Sequence, residues 1–204
     1  MKIKSLKTGL AVIIFTCSLF AGNSFATEKD TATKTVAILP FSVFIDTSRL
    51  LNGVSVESLI RAAEISRYRY QQSLYIWFLR KPGRYNVVFQ NLMTTRELLA
   101  KARWGDSLKL KTSEQLCLLL GVDAVISGEV YMKKPRAQET ATLVNGITGL
   151  PLAASNKIHV GLTLHDDTGK LRWRQDQDVR GDISAENMID NIMRYMAKTF
   201  PFKK

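Results

Sequence analysis

Two histidines, a cysteine set among leucines and a run of aspartates are the residues of this chain whose types could do chemistry. Their spacing argues against it. His159 and His165 lie six apart in an alternating segment, so a strand carries both on one side but well separated along its length. A tetrahedral metal site needs two further ligands close by. Cys117 cannot supply one, because between Leu116 and Leu118 a thiol is expected to be a small buried apolar group. Asp166, Asp167, Asp176, Asp178 and Asp182 have neither EF-hand spacing nor the glycine of a calcium loop, which leaves a solvated acidic hairpin. Gly169-Lys170 belongs to a turn, no phosphate-cradling glycine pattern occurs, and Ser127-Gly128 is not a nucleophile elbow. These patterns imply no catalytic residue, no metal and no cofactor, and the expectation is a protein that is not an enzyme.

Binding chemistry is better represented. Arg61, Arg67, Arg69, Arg80 and Arg84 alternate with Tyr68, Tyr70, Tyr75 and Trp77, and arginine, tyrosine and tryptophan dominate interface hot spots. From this stretch Arg67, Arg69, Tyr75, Trp77, Arg80 and Arg84 are the candidate partner-binding residues. The alternative is a solvated helix face with arginine stems lying over aromatic rings.

The amino terminus bears on compartment. Lys2, Lys4 and Lys7 precede an apolar run from Leu10 to Ala21, and Ser24-Phe25-Ala26 offers small residues to a signal peptidase. Residues 1–26 read as a secretory signal peptide, too short in its apolar run to span a bilayer. Cys17 as a lipidated residue fits less well, since Thr16 precedes it and apolar residues continue beyond. Cleavage removes three of the 29 basic residues and none of the 18 acidic ones, leaving 26 against 18, or +8. In an exported chain this favours an anionic polymer, lipid headgroup or acidic protein face over nucleic acid. Cys117 would be the one remaining cysteine, so no internal disulfide is expected and the core must supply stability.

Residues 27–34 read as a flexible leader and 35–204 as a single domain. Thr35–Leu39 is a buried strand ended by Pro40, Ser42–Ile45 its edge extension, and Asn52-Gly53 a turn. Ser55–Leu79 is the longest helix, with Ile60, Ala63, Arg67, Tyr70, Leu74, Trp77 and Phe78 on one face. Tyr85–Gln90 is a strand. Thr94 with Glu97 opens a helix to about Trp104, stopped by Gly105, and Ser107–Lys111 is a connector or edge strand. Thr112 with Gln115 is a capping box for a short helix that ends at Gly121, and Val122–Val130 follows as a strand covered on both faces. Residues 133–156 form an insert, either a functional loop or a hairpin extension with Asn145-Gly146 at its tip. Ile158–His165 and Lys170–Val179 make a half-exposed antiparallel hairpin. Ser184 then caps an amphipathic helix carrying Met188, Ile189, Ile192, Met193, Met196 and Phe200. The fold expected is an α/β (α+β) sandwich, a mixed sheet of about five strands packed by helices.

Val36-Ala37-Ile38-Leu39-Pro40-Phe41 at the first strand, Leu116 through Val130 across the helix-glycine-strand element, and Asp167-Thr168-Gly169-Lys170-Leu171-Arg172-Trp173 at the hairpin occur in that order. Together they resemble the bacterial envelope family of the curli secretion factor CsgG, the penicillin-binding-protein activator LpoB and the TolB amino-terminal domain, over most of residues 35–200. That resemblance implies a non-catalytic part of an envelope assembly with an α/β sandwich fold. With the signal peptide, the expectation is a periplasmic location, association with the outer membrane included, and a partner that is another cell-envelope protein or a second copy of the chain. Unlike CsgG, the insert is too short for two membrane-length hairpins. The alternative function is a binding protein for an anionic envelope lipid or glycan, with peripheral membrane association.

Overall fold

The first strand alternates its side chains between two different helical layers, and the architecture follows from that alternation. The computed structural model describes residues 33–45, 55–81, 83–132, 157–180 and 185–203, within one compact unit, Thr33–Lys204. Strand β1 is Lys34–Ile38 and β2 is Ser42–Ile45. Helix α1 (Val56–Leu79), strand β3 (Val87–Phe89) and helix α2 (Leu92–Lys101) follow. A 3-10 turn over Gly105–Leu110 leads into α3 (Ser113–Leu120) and β4 (Ala124–Met132). The chain closes with β5 (Lys157–Asp166), β6 (Leu171–Arg180) and α4 (Ala185–Met196).

The sheet is mixed and six-stranded, in the order β3-β1-β4-β5-β6, with β2 also paired to β4. β1 runs parallel to β3 and β4, whereas β4, β5 and β6 are antiparallel. The sheet has one strand more than expected because Ser42–Ile45 forms its own parallel ladder with Glu129–Met132. β1 and β2 lie against the same strand, so they amount to one strand broken by Leu39-Pro40-Phe41. Ile38 pairs with Ile126 and Ser42 with Glu129, so the broken strand spends one residue more than β4 over the gap, as a bulge does. The break is secured from α1. Phe41 N–H donates to the Arg67 carbonyl (3.3 Å), and the Phe41 carbonyl accepts from Arg67 Nε (3.2 Å). Gln71, fully buried, donates Nε2 to the Ile38 carbonyl at 2.7 Å. The Phe41 ring, also fully buried, lies over Gly128 of β4, where a Cβ would stand 2.3 Å from ring carbon.

Val36, Ile38, Ala124, Ile126, Val130, Ile158, Val160, Leu162 and Leu164 point to one side and meet Leu74, Trp77 and Phe78 of α1 and Met188, Ile189, Ile192, Met193 and Met196 of α4. Each fully buried aliphatic there contributes roughly 2 kcal/mol of transfer free energy. Ala37, Leu39 and Val125 point the other way and meet Leu99 of α2 and Leu116, Cys117 and Leu120 of α3. The result is a three-layer α/β sandwich. Both hydrogen bonds of the Thr112/Gln115 capping box form, and Gly121 ends α3 in the left-handed region at φ 64°, as the sequence requires.

Local differences from expectation have local causes. The first half of α1 turns Leu59, Ala62 and Ser66 inward and leaves Ile60 59% exposed, because two apolar phases compete there. α2 begins at Leu92, not at Thr94, since Asn91 accepts from Met93 N–H and caps first. Thr95 is instead buried, its hydroxyl donating to Gln90 Oε1. α2 stops at Lys101, short of Trp104, and Ser107–Lys111 is part of a 3-10 turn and its exit, not a strand. The signal peptide, residues 27–32 of the leader, the Asn52-Gly53 turn, the insert at 133–156 and the Ser184 cap lie outside the described residues. Among the described residues no helix is long and apolar enough to cross a membrane.

Candidate functional site

α2 and α3 cover only part of their side of the sheet. Beyond Val125 the side chains of β4 that point their way, Ser127, Glu129 and Tyr131, are half-buried or exposed. In register with them stand Ser42 and Phe44 on β2, His159, Gly161 and Thr163 on β5, and Arg174, Asp176 and Asp178 on β6. One row crosses four strands: Phe44 opposite Tyr131, Tyr131 opposite His159, His159 opposite Asp178. Phe44 and Tyr131 are each 41% exposed, yet their rings stack at 4.6 Å between centroids and 12° between planes. Stacking supplies attraction beyond area burial, so the pair forms a preassembled apolar platform facing solvent.

The other end of the row is ionic. His159 Nδ1 lies 2.9 Å from Asp178 Oδ1 and Nε2 lies 3.5 Å from Asp176 Oδ1. Arg174 Nε donates to Asp176 Oδ2 at 2.8 Å, and that hydrogen bond holds the Asp176 carboxyl below its ordinary range. Tyr131 hydroxyl donates to Glu129 Oε2 at 3.2 Å; burial, then the Glu129 charge, pushes the phenol up. The side chains of the open face are therefore held by one another, with carboxylates, a guanidinium and rings directed outward.

A groove of about 350 Å³ adjoins this face. Pro40, Phe44, Ser127 and Glu129 form its floor, Glu64 and Arg67 of α1 one wall, and Leu108, Lys109 and Lys111 the other. It continues into a hollow of about 190 Å³ between Arg67, Tyr68, Arg96 and Trp104. Arg67 stands at the junction with its guanidinium on Glu64 (2.9 Å) and on the Phe41 carbonyl. Arg96 is fixed by Gln71 Oε1 (2.8 Å) and lies 4.9 Å from the Tyr68 ring centre. The groove is lined by mixed charge and aromatic edges on a rigid frame, which suits contact with a polar macromolecular surface.

The six residues singled out in and just after α1 do not form one surface. Arg67 lines the groove; Trp77 is 4% exposed in the core, where it packs on Phe78 and Tyr85. Tyr75 is partly buried against the same core. Arg80 is exposed near Asp190 (3.7 Å), Arg84 is exposed in the following turn, and Arg69 is half-buried. Trp77 belongs to the core-facing stripe of α1 with Tyr70 and Leu74, whereas Arg80 is the exposed C-cap and Arg84 lies in the turn beyond, so interleaving in sequence did not become interleaving in space.

His159 and His165 do share a side of β5, as the period of two requires, but only His165 reaches the groove. Among the described residues no group of three His, Cys, Asp or Glu side chains is placed to hold a metal ion. Cys117 is 2% exposed. Its thiol is pushed up to about 11 by burial, and further by the charges of Asp167, Asp166, Asp123 and Glu114, so it is not a nucleophile near neutral pH. Phe44 and Tyr131 were not singled out by the sequence, and the signal that could have found them is an aromatic at the outward phase of a strand.

Asp166 at the hairpin is a structural carboxylate. Its side chain is 4% exposed and accepts from Thr168 Oγ1 (2.6 Å), Thr168 N–H (3.1 Å), Lys170 N–H (2.9 Å) and Arg172 Nε. The Thr168 hydrogen bond, then Arg172 and the Lys170 backbone, hold it far below the ordinary carboxylate range.

No family model and no curated protein matches the chain. Among solved structures it is similar to the lipoprotein GNA1162 from Neisseria meningitidis, with a TM-score of 0.41 and 11% sequence identity over 82% of this chain and 99% of that one.

Proposed function

We propose that this chain is a non-catalytic accessory protein exported to the bacterial cell envelope, where it binds another envelope protein through the open side of its sheet. The observation that carries this reading is the stacked, solvent-facing Phe44–Tyr131 pair set between a charged groove and the His159–Asp178 pair. Exposed aromatics pinned on rigid strands lose little side-chain entropy when a partner covers them, which makes them efficient anchors. Export is supported by the Lys2–Ala26 pattern. Membership of an envelope assembly is supported by the three ordered motifs that resemble the CsgG, LpoB and TolB group. Both ring nitrogens of His159 are turned to carboxylates, a geometry that serves positioning better than proton transfer to a substrate.

Capture from envelope extract with the full chain tests it. An envelope protein retained by the native chain and lost on combining Phe44→Ala with Tyr131→Ala, with the fold intact by circular dichroism, is the expected result. Equal capture by both chains, or capture of no envelope protein, overturns it. A second reading, binding of an anionic lipid headgroup or glycan, is favoured by Arg67, Lys109, Lys111 and His165 lining one groove. It requires that binding to anionic vesicles or glycan weaken steeply with salt.

A further inference from the structure

The two edges of the sheet are finished differently. At β3 the strand is three residues long, and the carboxyl-terminal tail comes up beside the residues preceding it: Tyr85 bridges Lys203, and Asn86 N–H donates to the Phe202 carbonyl at 2.7 Å. At β6 the edge strand is ten residues long, and among the described residues its outer side has no strand neighbour. A long edge offers a row of backbone donors and acceptors to another strand and is normally defended by proline or a single-sign charge. Described β6 has no proline, and its open side carries both signs of charge in two blocks, Arg172 and Arg174 followed by Asp176 and Asp178.

That order is self-complementary. Two copies of β6 laid antiparallel about a twofold axis through Gln175 bring Arg174 of each opposite Asp176 of the other. One step further out Arg172 falls opposite Asp178, beside the bulge at Leu164/His165. On the covered side the same register sets Trp173 opposite Gln177. Moving the axis to Arg174 or to Asp176 puts like charges face to face, which is unfavourable for directly opposed side chains. We propose that β6 is a homodimer interface in which a second copy of this chain adds its own β6, extending the sheet across a twofold axis at Gln175. Backbone hydrogen bonding would supply the attraction and the charge order the register. Arg174 already donates to Asp176 within its own strand, and each carboxylate has acceptor sites left for a second guanidinium. Pairing engages only the β6 end of the open face, Arg174, Asp176 and Asp178; the Phe44–Tyr131 platform is left open and presented twice.

Reciprocal charge reversal in the full chain, followed by sedimentation equilibrium, is the test. Arg174→Asp and Asp176→Arg should each weaken the dimer at least tenfold, because each confronts like charges across the axis. An equimolar mixture of the two variants should restore the native dimer, since each then meets its opposite in the other chain. An effect confined to one chain cannot restore it. In a Cys17→Ser background, Gln175→Cys should cross-link to itself on oxidation and Gln177→Cys should not. A native chain that stays monomeric to its solubility limit, a mixture as monomeric as its components, or equal cross-linking at both positions overturns the proposal.

Discussion

The two sides of the sheet use the same strands to different ends. On the α1/α4 side every inward residue of β5 from Ile158 to Leu164 is at most 2% exposed, and the surface is closed by two helices. On the α2/α3 side cover ends at Val125, and the same strands show His159, Thr163 and Tyr131 partly exposed to solvent. Burial explains the first side completely. It leaves the second unexplained, because an aromatic stack and ionic pairs on an open face contribute little to stability. The comparison separates the residues that fold this chain from those that, under the proposed function, a partner would cover.

Substitutions can break or sharpen that separation. Leu162→Ala on the closed side should cost about 3 kcal/mol, from lost burial and a cavity the helices cannot fill, read as a fall in the urea midpoint. Gly128→Ala, at the edge between the two sides, should cost about 2 kcal/mol, because its Cβ would enter the fully buried Phe41 ring. A loss equal to that of an exposed position would show that the ring can move. Asp166→Asn should cost about 2 kcal/mol, since four donors converge on the charged form. Its folded pKa is depressed, so this contribution is complete above the ordinary aspartate pKa of about 4 and disappears as pH falls towards the folded value. Urea titrations should accordingly converge for native and variant chains only in strong acid. Tyr131→Ala on the open side should cost less than about 1 kcal/mol of stability while abolishing partner capture. A larger loss of stability would assign the stack to folding instead.

Much of the packed frame on both sides was legible because its signals are local. The Thr112/Gln115 box, Gly121, the period of two in Ile158–Leu164 and the methionine-isoleucine stripe of α4 each fix an element within a few residues, and each sits as expected. Local ambiguity explains the misses. Leu59 and Ile60 offer α1 two apolar phases, and Asn91 outcompetes Thr94 as a cap. The open side was illegible for a different reason. Phe44 and Tyr131 meet only because β2 is the continuation of a broken β1, and the register across that break depends on Phe41, Gly128 and Arg67 from three separate elements. Charge and aromatic interleaving in α1 pointed to Trp77, which packing then took into the core.

The place of β1 between β3 and β4 has a consequence for how the chain acquires its structure. This interior strand is made before both of its neighbours, and its ladders need Val87–Phe89 and Ala124–Ile126. Until those arrive, the Val36–Leu39 segment is an apolar strand with two bare edges, prone to pair with whatever is near. Long-range parallel pairing of this kind slows assembly, so a chaperone that shields the nascent amino-terminal strand should raise the yield of native protein more than one acting on the later hairpin.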